Sequence, residues 1–253
     1  HGTTITVLNA FRKIKKNPKG RVFVTSGLGG MSGAQPKAGN ISGCITICAE
    51  VNIKAIKTRH SQNWIDEVIS DLDKLTERVK IAQKNKEIVS IAYHGNIVEV
   101  WESFYENNIT IDIGSDQTSL HNPWSGGYYP IGYTFEESNK LIHKNPKKFK
   151  LEVRSTLKRH VEIINKHVKK GTYFFDYGNA FLLEASKANA DILKKDGSFK
   201  YPSYVQDIMG PMCFDYGFGP FRWVCASGKQ KDLDKTDEIA CEVLEKLSKT
   251  ASD

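Results

Sequence analysis

The stretch SGLGGMSGAQPK, residues 26–37, stands between two apolar runs, RVFVT (21–25) and CITICAEV (44–51). Its glycines, Gly27, Gly29, Gly30 and Gly33, form a GxGGxxG pattern, with Ser32 where the usual GxGxxG fingerprint has its third glycine. Gly27 permits a tight turn, and Gly29 and Gly30 let the backbone approach a pyrophosphate. Gly33 allows the next helix to pack closely on the strand. The N–H groups at the start of that helix then face the phosphates, and Pro36 fits its first turn. Glu50 closes the second apolar run about 20 residues beyond the loop, where a carboxylate accepts from a ribose hydroxyl. An acid there favours NAD over NADP, because it repels a 2′-phosphate. The stretch is read as a dinucleotide loop.

Outward from this loop, strand-like runs alternate with helical patterns. Residues 22–25, 45–49, 88–93, 111–113, 173–176 and 223–226 read as short buried strands. Residues 64–84 carry Ile65, Val68, Ile69, Leu72, Leu75 and Val79 at helical spacing, with Asn63 as a cap. Helices are also expected over 151–169 and 232–249. The alternation predicts an α/β fold: a Rossmann-like, mostly parallel sheet with helices on both faces, in one domain over residues 1–253. In such a sheet the loops leaving the strand C-termini share one edge, where ligands bind.

Composition narrows the classes. The chain has 253 residues, 40% of them hydrophobic and 26% charged, so it is long enough to bury a sizeable core. No apolar run approaches the roughly 18 residues needed to span a bilayer, and no secretory leader is visible, so a cytoplasmic location is expected. Five cysteines without a CxxC pair fit reduced thiols. The net charge of +7 lies mostly in RKIKKNPKGR, HKNPKKFK and KHVKK, which read as helix ends and solvated faces. No arginine-rich block or aromatic–basic interleaving points to nucleic acid.

Three other strand ends carry polar or glycine-bearing loops: YHGN (93–96), SDQTSLH (115–121) and FDYGN (175–179). Each is compatible with turn chemistry alone, and Asn96 is equally an N-cap. Together on the edge that holds the glycine loop, they point to a site. His121 reads either as a general base or ligand or as a histidine bonded to a neighbour. It has no metal-spaced partner, and no metal site is expected. His94, on an apolar strand, reads as structural.

TSGLGGMSGAQPKAGNISGC, YHGN, SDQTSLHNPWSGGYYP, FDYGNAFLLEA, YPSYVQDIMG and GFGPFRWVC occur in an order and spacing that resemble urocanate hydratase, in its eukaryotic-type branch. The resemblance covers essentially the whole chain. It implies a lyase of histidine degradation that adds water to urocanate, giving 4-imidazolone-5-propionate. Tightly bound NAD⁺ serves there as an electrophile rather than a hydride carrier. It also implies a cytoplasmic homodimer whose NAD-binding domain is inserted in a larger core domain.

By the same resemblance, NAD contacts fall on Gly29, Gly30, Met31 and Ser32, and on Glu50, Asn96 and Ile97. Further contacts fall on Gln117, Thr118, Ser119, Leu120 and His121, on Tyr128 and Tyr129, and on Tyr177. Two departures stand out. Bacterial members carry an arginine five residues after the ribose acid, where this chain has Ala55. Their annotated cysteine aligns by counting with Asp215, two residues beyond Cys213; Cys213 is the candidate catalytic residue. The family needs further segments for its active site, so this chain is expected to be a central fragment with little activity of its own. The alternatives are an NAD-dependent oxidoreductase and a non-catalytic module using the basic surface. The first lacks a Tyr-x-x-x-Lys relay, since neither Tyr105 nor Tyr133 has a lysine four residues on.

Overall fold

Alternate residues along the central strands point into different apolar clusters, and this sets the layering. The computed structural model describes residues 2–217 and 225–250. Strands β1 (Val22–Ser26), β2 (Ile45–Glu50), β3 (Glu67–Ile69), β4 (Val89–His94), β5 (Ile113–Gly114) and β6 (Tyr173–Phe174) form one sheet. Its order is β3-β4-β2-β1-β5-β6 and every pairing is parallel.

The helices are α1 (Gly2–Lys13), α2 (Gln35–Ser42), α3 (Ile53–Ser61), α4 (Leu72–Asn85), α5 (Ile97–Glu106), α6 (Phe135–Lys144), α7 (Pro146–Lys169) and α8 (Phe181–Lys187). A short π-helical turn, Val205–Met209, runs into a one-turn helix, α9 (Gly210–Met212). Val22, Val24, Ile45, Ile47 and Ile91 pack with Leu75 and Val79 of α4, Trp101 and Phe104 of α5, and Leu157 and Val161 of α7. On the opposite face, Phe23 and Ile113 pack with Val7, Ala10 and Phe11 of α1, while Cys48 and Ala92 pack with Ile56 of α3. Strands covered on both faces need near-continuous apolar sequence, and VFVTS and ITICAE supply it. The expected Rossmann-like α/β architecture is present.

Three expectations change. The helix expected over 64–84 begins only at Leu72, because residues 67–69 pair with β4 as an edge strand. Asp66 fixes that pairing: its carboxylate accepts from Ser90 N at 2.7 Å and Ser90 Oγ at 2.8 Å. The cap is Asp71, which accepts from Lys74 N; Asn63 instead takes a left-handed turn after α3, with φ 55°. The basic run at 12–21 begins in the last turn of α1, in keeping with its reading as a helix end, although the pattern reading places no helix over 2–13. Of the strand expected over 223–226, residues 223 and 224 lie outside the described residues, and 225–226 are not extended into a strand.

By its contacts the chain divides into two compact units, residues 1–218 and 219–253, where the sequence reading has one domain. The second consists mainly of α10 (Gln230–Thr250), close to the helix expected over 232–249.

Candidate functional site

The chain leaves β4 on one side of β1 and reappears as β5 on the other. The strand C-termini at such a reversal splay their loops apart and open a crevice. Here the crevice is a cleft of about 250 Å³, walled by residues from the ends of β1, β2, β4 and β5 and from the aromatic loop before α6.

The glycine loop forms the first wall. Gly27 has φ +90°, and its N–H donates to Ala49 O at 2.9 Å. A Cβ there would also stand 3.1 Å from Gln117 O, so the turn needs glycine twice over. Ser32, at the third-glycine position, is buried, and its Oγ accepts from Gly29 N at 2.9 Å. The serine closes the loop on itself. A single 3₁₀ turn (Ser32–Ala34) leads into α2, with Pro36 in its first turn as expected.

Gly29 and Gly30 are different. Neither has a positive φ; a Cβ on Gly29 would meet only Ser32 Oγ at 3.6 Å, and one on Gly30 would meet nothing within 4 Å. Among the described residues no atom demands glycine at these positions. Gly33 corrects the sequence reading: a Cβ there would meet the Arg59 guanidinium, with Cζ at 2.8 Å, rather than a strand. The close helix-on-strand contact belongs to Gly39, against Thr46 of β2.

The second wall is the end of β2. Glu50 Oε2 accepts from Leu28 N at 2.8 Å and Oε1 from Asn52 N at 2.9 Å. Burial pushes its carboxyl up from the usual range, against those backbone bonds and the nearby His94. The Val51 backbone also acts on it, and of the roughly four acceptor sites of a carboxylate, capacity remains for a further donor. His94 itself bonds Val51 O through Nε2.

Asn96 caps α5 in a full capping box with Glu99, and its Nδ2 donates to Tyr129 O at 3.0 Å. It is both the cap and a wall residue, beside Ile97. Gln117, Thr118 and Ser119 supply the facing wall. Gly127 is pressed so close to this segment that a Cβ would stand 2.6 Å from Asn122 O, and Ser119 N donates to Gly127 O. Tyr128 is nearly wholly buried and its hydroxyl meets His160 Nδ1 at 3.1 Å, while Tyr129 bonds Asn139.

Beneath the cleft lies a buried polar hub that sequence reasoning missed. Asp116 accepts from Ser26 Oγ, from Thr118 N and Oγ1, and from Asn179 Nδ2 at 3.0 Å. Complete burial raises its carboxyl pKa, and those donors oppose the rise. Gln35, also wholly buried, donates to Ser26 O at 3.1 Å and Gly27 O at 3.4 Å. The loops after β1, β5 and β6 are thereby tied together. The one sequence signal was Asp116 two residues before Thr118, an Asx-turn spacing.

Of the expected site residues, Gly29, Ser32, Glu50, Asn96, Ile97, Gln117, Thr118, Ser119, Tyr128 and Tyr129 line the cleft. Gly30 and Met31 lie on the same loop, Met31 with its side chain exposed. Leu120 is wholly buried in the core, and His121 borders a different depression with Asp176 and Lys200. Tyr177 stacks on Tyr204, ring centroids 4.8 Å apart, in the cluster of α1. Cys213 is buried away from the cleft wall and Asp215 is exposed. Ala55 lines the cleft; Arg59, one helical turn on, holds the glycine loop from outside. Among the described residues no group of three or more His, Cys, Asp or Glu is arranged to hold a metal, and no helix is long and apolar enough to cross a membrane.

The family model of the urocanase Rossmann-like domain matches residues 1–208, and that of the urocanase C-terminal domain matches 211–252. This chain belongs to the urocanase family. Among urocanase relatives, it is 58% identical over 253 residues to a probable urocanate hydratase of Dictyostelium discoideum, covering 98% of this chain and 37% of that protein. It is 52% identical over 256 residues to the urocanate hydratase of Mus musculus (97% and 38%), and 52% over 255 residues to that of Homo sapiens (97% and 38%). The chain thus spans well under half the length of these relatives. The boundary between the two family models, at 208–211, falls near the division between the compact units.

Proposed function

We propose that this chain is the NAD-binding part of a urocanate hydratase, in which the cleft at the β1/β5 reversal holds NAD⁺. The observation that carries the reading is the pair Gly29 and Gly30, glycines that neither φ nor any contact among the described residues requires, within a chain of this family. Close approach of a pyrophosphate accounts for both. The remaining residues fit the rest of the molecule. Glu50 offers lone pairs to ribose hydroxyls, and Gln117 Oε1 is a buried acceptor without a partner among the described residues. Such an atom favours a ligand that brings an N–H, as a carboxamide does.

Bound there, NAD⁺ supplies an electrophilic ring to the urocanate imidazole, as the family resemblance implies. This chain's residues bind and orient it. Gly27 and Ser32 shape the loop, Glu50 and Asn52 mark the ribose end, and Tyr128 and Tyr129 close the wall opposite. Glu50, Tyr128 and Tyr129 are the titratable side chains lining the cleft, and burial raises all three. Burial keeps the two tyrosines protonated, and backbone N–H groups engage the Glu50 carboxylate, which supports a holding role for all three. The parent enzyme is proposed to be a cytoplasmic homodimer acting on urocanate.

Calorimetric titration with NAD⁺ tests the reading. The 253-residue chain is expected to bind NAD⁺ and to consume little urocanate by loss of ultraviolet absorbance. Gly30→Ala is expected to leave the melting temperature unchanged while weakening NAD⁺ at least tenfold. No NAD⁺ binding by the parent chain, or full affinity in Gly30→Ala, overturns the assignment.

A further inference from the structure

We infer that Arg59 is a positioning residue for the phosphate loop: it turns the Leu28 and Gly29 carbonyls away from the cleft so that the Gly30 amide N–H faces a bound pyrophosphate. The inference rests on the NAD⁺ reading above and adds a residue outside the cleft wall.

Arg59 lies in the last turn of α3. Its Nε donates to Leu28 O at 3.2 Å and its Nη2 to Gly29 O at 2.7 Å, so one planar guanidinium grips two consecutive loop carbonyls. The fork is itself held in place. Nη1 donates to Gln62 Oε1 at 2.8 Å, and the Trp64 ring centroid lies 5.1 Å from Cζ. The missing side chain of Gly33 leaves the room the guanidinium fills, since a Cβ there would stand 2.8 Å from Cζ.

A trans peptide fixes the consequence. Its C=O and the following N–H point in opposite directions, so holding the Leu28 and Gly29 carbonyls towards Arg59 aims the Gly29 and Gly30 amides the other way. The Gly29 amide is taken by Ser32 Oγ, which leaves the Gly30 amide as the one delivered by this grip. Gly29 and Ser32 line the cleft and Arg59 does not. The arginine therefore acts through the loop. It also withdraws two carbonyl dipoles from the phosphate side, where they would repel an anion.

The test compares two ligands that differ in the pyrophosphate. The 253-residue chain, Arg59→Ala and Arg59→Lys are titrated with NAD⁺ and with adenosine. Arg59→Ala is expected to weaken NAD⁺ about tenfold and adenosine less than about twofold, because only the former uses the oriented amide. Arg59→Lys, a single point charge unable to span both carbonyls, is expected to fall between. A merely structural role predicts equal losses for both ligands, and that result overturns the inference, as does unchanged NAD⁺ affinity. If Arg59→Ala does not fold, Arg59→Lys decides by the same comparison. Failure of the parent chain to bind NAD⁺ removes the NAD⁺ reading itself, before any variant is measured.

Discussion

Gly39 of α2 and Thr46 of β2 are packed so tightly that a Cβ on the glycine would stand 2.8 Å from the threonine Cβ and closer still to its hydroxyl. Helix α2 therefore lies on the sheet at a distance only a glycine allows, and this height sets where the phosphate loop ends. Gly39→Ala is expected to cost about 1–3 kcal/mol in overpacking, read by urea unfolding. Adding Thr46→Ala, which removes the nearest atom, is expected to recover part of that loss. Additive losses in the double variant would show that the contact is not the cause.

His160 is wholly buried, and burial pulls its pKa down to about 3 from an unfolded value near 6.5. Between those values the unfolded chain binds a proton that the folded chain refuses, so acid favours unfolding. Stability is expected to be intact above about pH 6.5 and to fall by about 1.4 kcal/mol per pH unit below it. His167, lowered in the same direction by burial, adds to this slope. Urea midpoints measured from pH 7.5 to 4 should show a shallower decline in His160→Gln, and an identical decline would remove His160 as the source.

Glu50 has the opposite sign. Its raised carboxyl means that the folded state holds the proton more tightly than the unfolded state. Acidification through that window stabilises the fold through this group, yet it removes the negative acceptor that ribose hydroxyls need. As pH is lowered, NAD⁺ affinity is therefore expected to begin declining before the usual carboxylate range is reached. Glu50→Gln should bind more weakly at neutral pH and show a flatter profile. A parallel pH profile in the variant would assign the titration elsewhere.

Much of this architecture was legible because local and global signals agree. VFVTS and ITICAE are predominantly apolar, as strands buried on both faces tend to be, and the glycine loop with Glu50 marked the edge where the cleft lies. Periodicity failed at residues 64–71, where Ile65, Val68 and Ile69 fit a helix as well as a strand. The deciding partner, Ser90, lies more than 20 residues away. The Gly33 role was misread for a related reason: a fingerprint assigns a glycine to strand packing, whereas the atom that fills the space belongs to Arg59 of the next helix. The Asp116 hub was hidden because, apart from the neighbouring Thr118, its donors are distant in the chain: Ser26 at the end of β1 and Asn179 after β6.

The strand order also has a kinetic side. Residues 67–69 pair with β4 alone, and β4 follows them in the chain. As the polypeptide emerges, β3 has no partner to wait beside, and it takes its place only once residues 89–94 are available. Pairings that span long stretches of chain form late. The pairing of β1 with β5 spans more chain than that of β2 with β4, so Gln117, Thr118 and Ser119, which follow β5, are among the last residues to be set in the cleft wall. A newly made chain would complete its sheet before it could hold a dinucleotide.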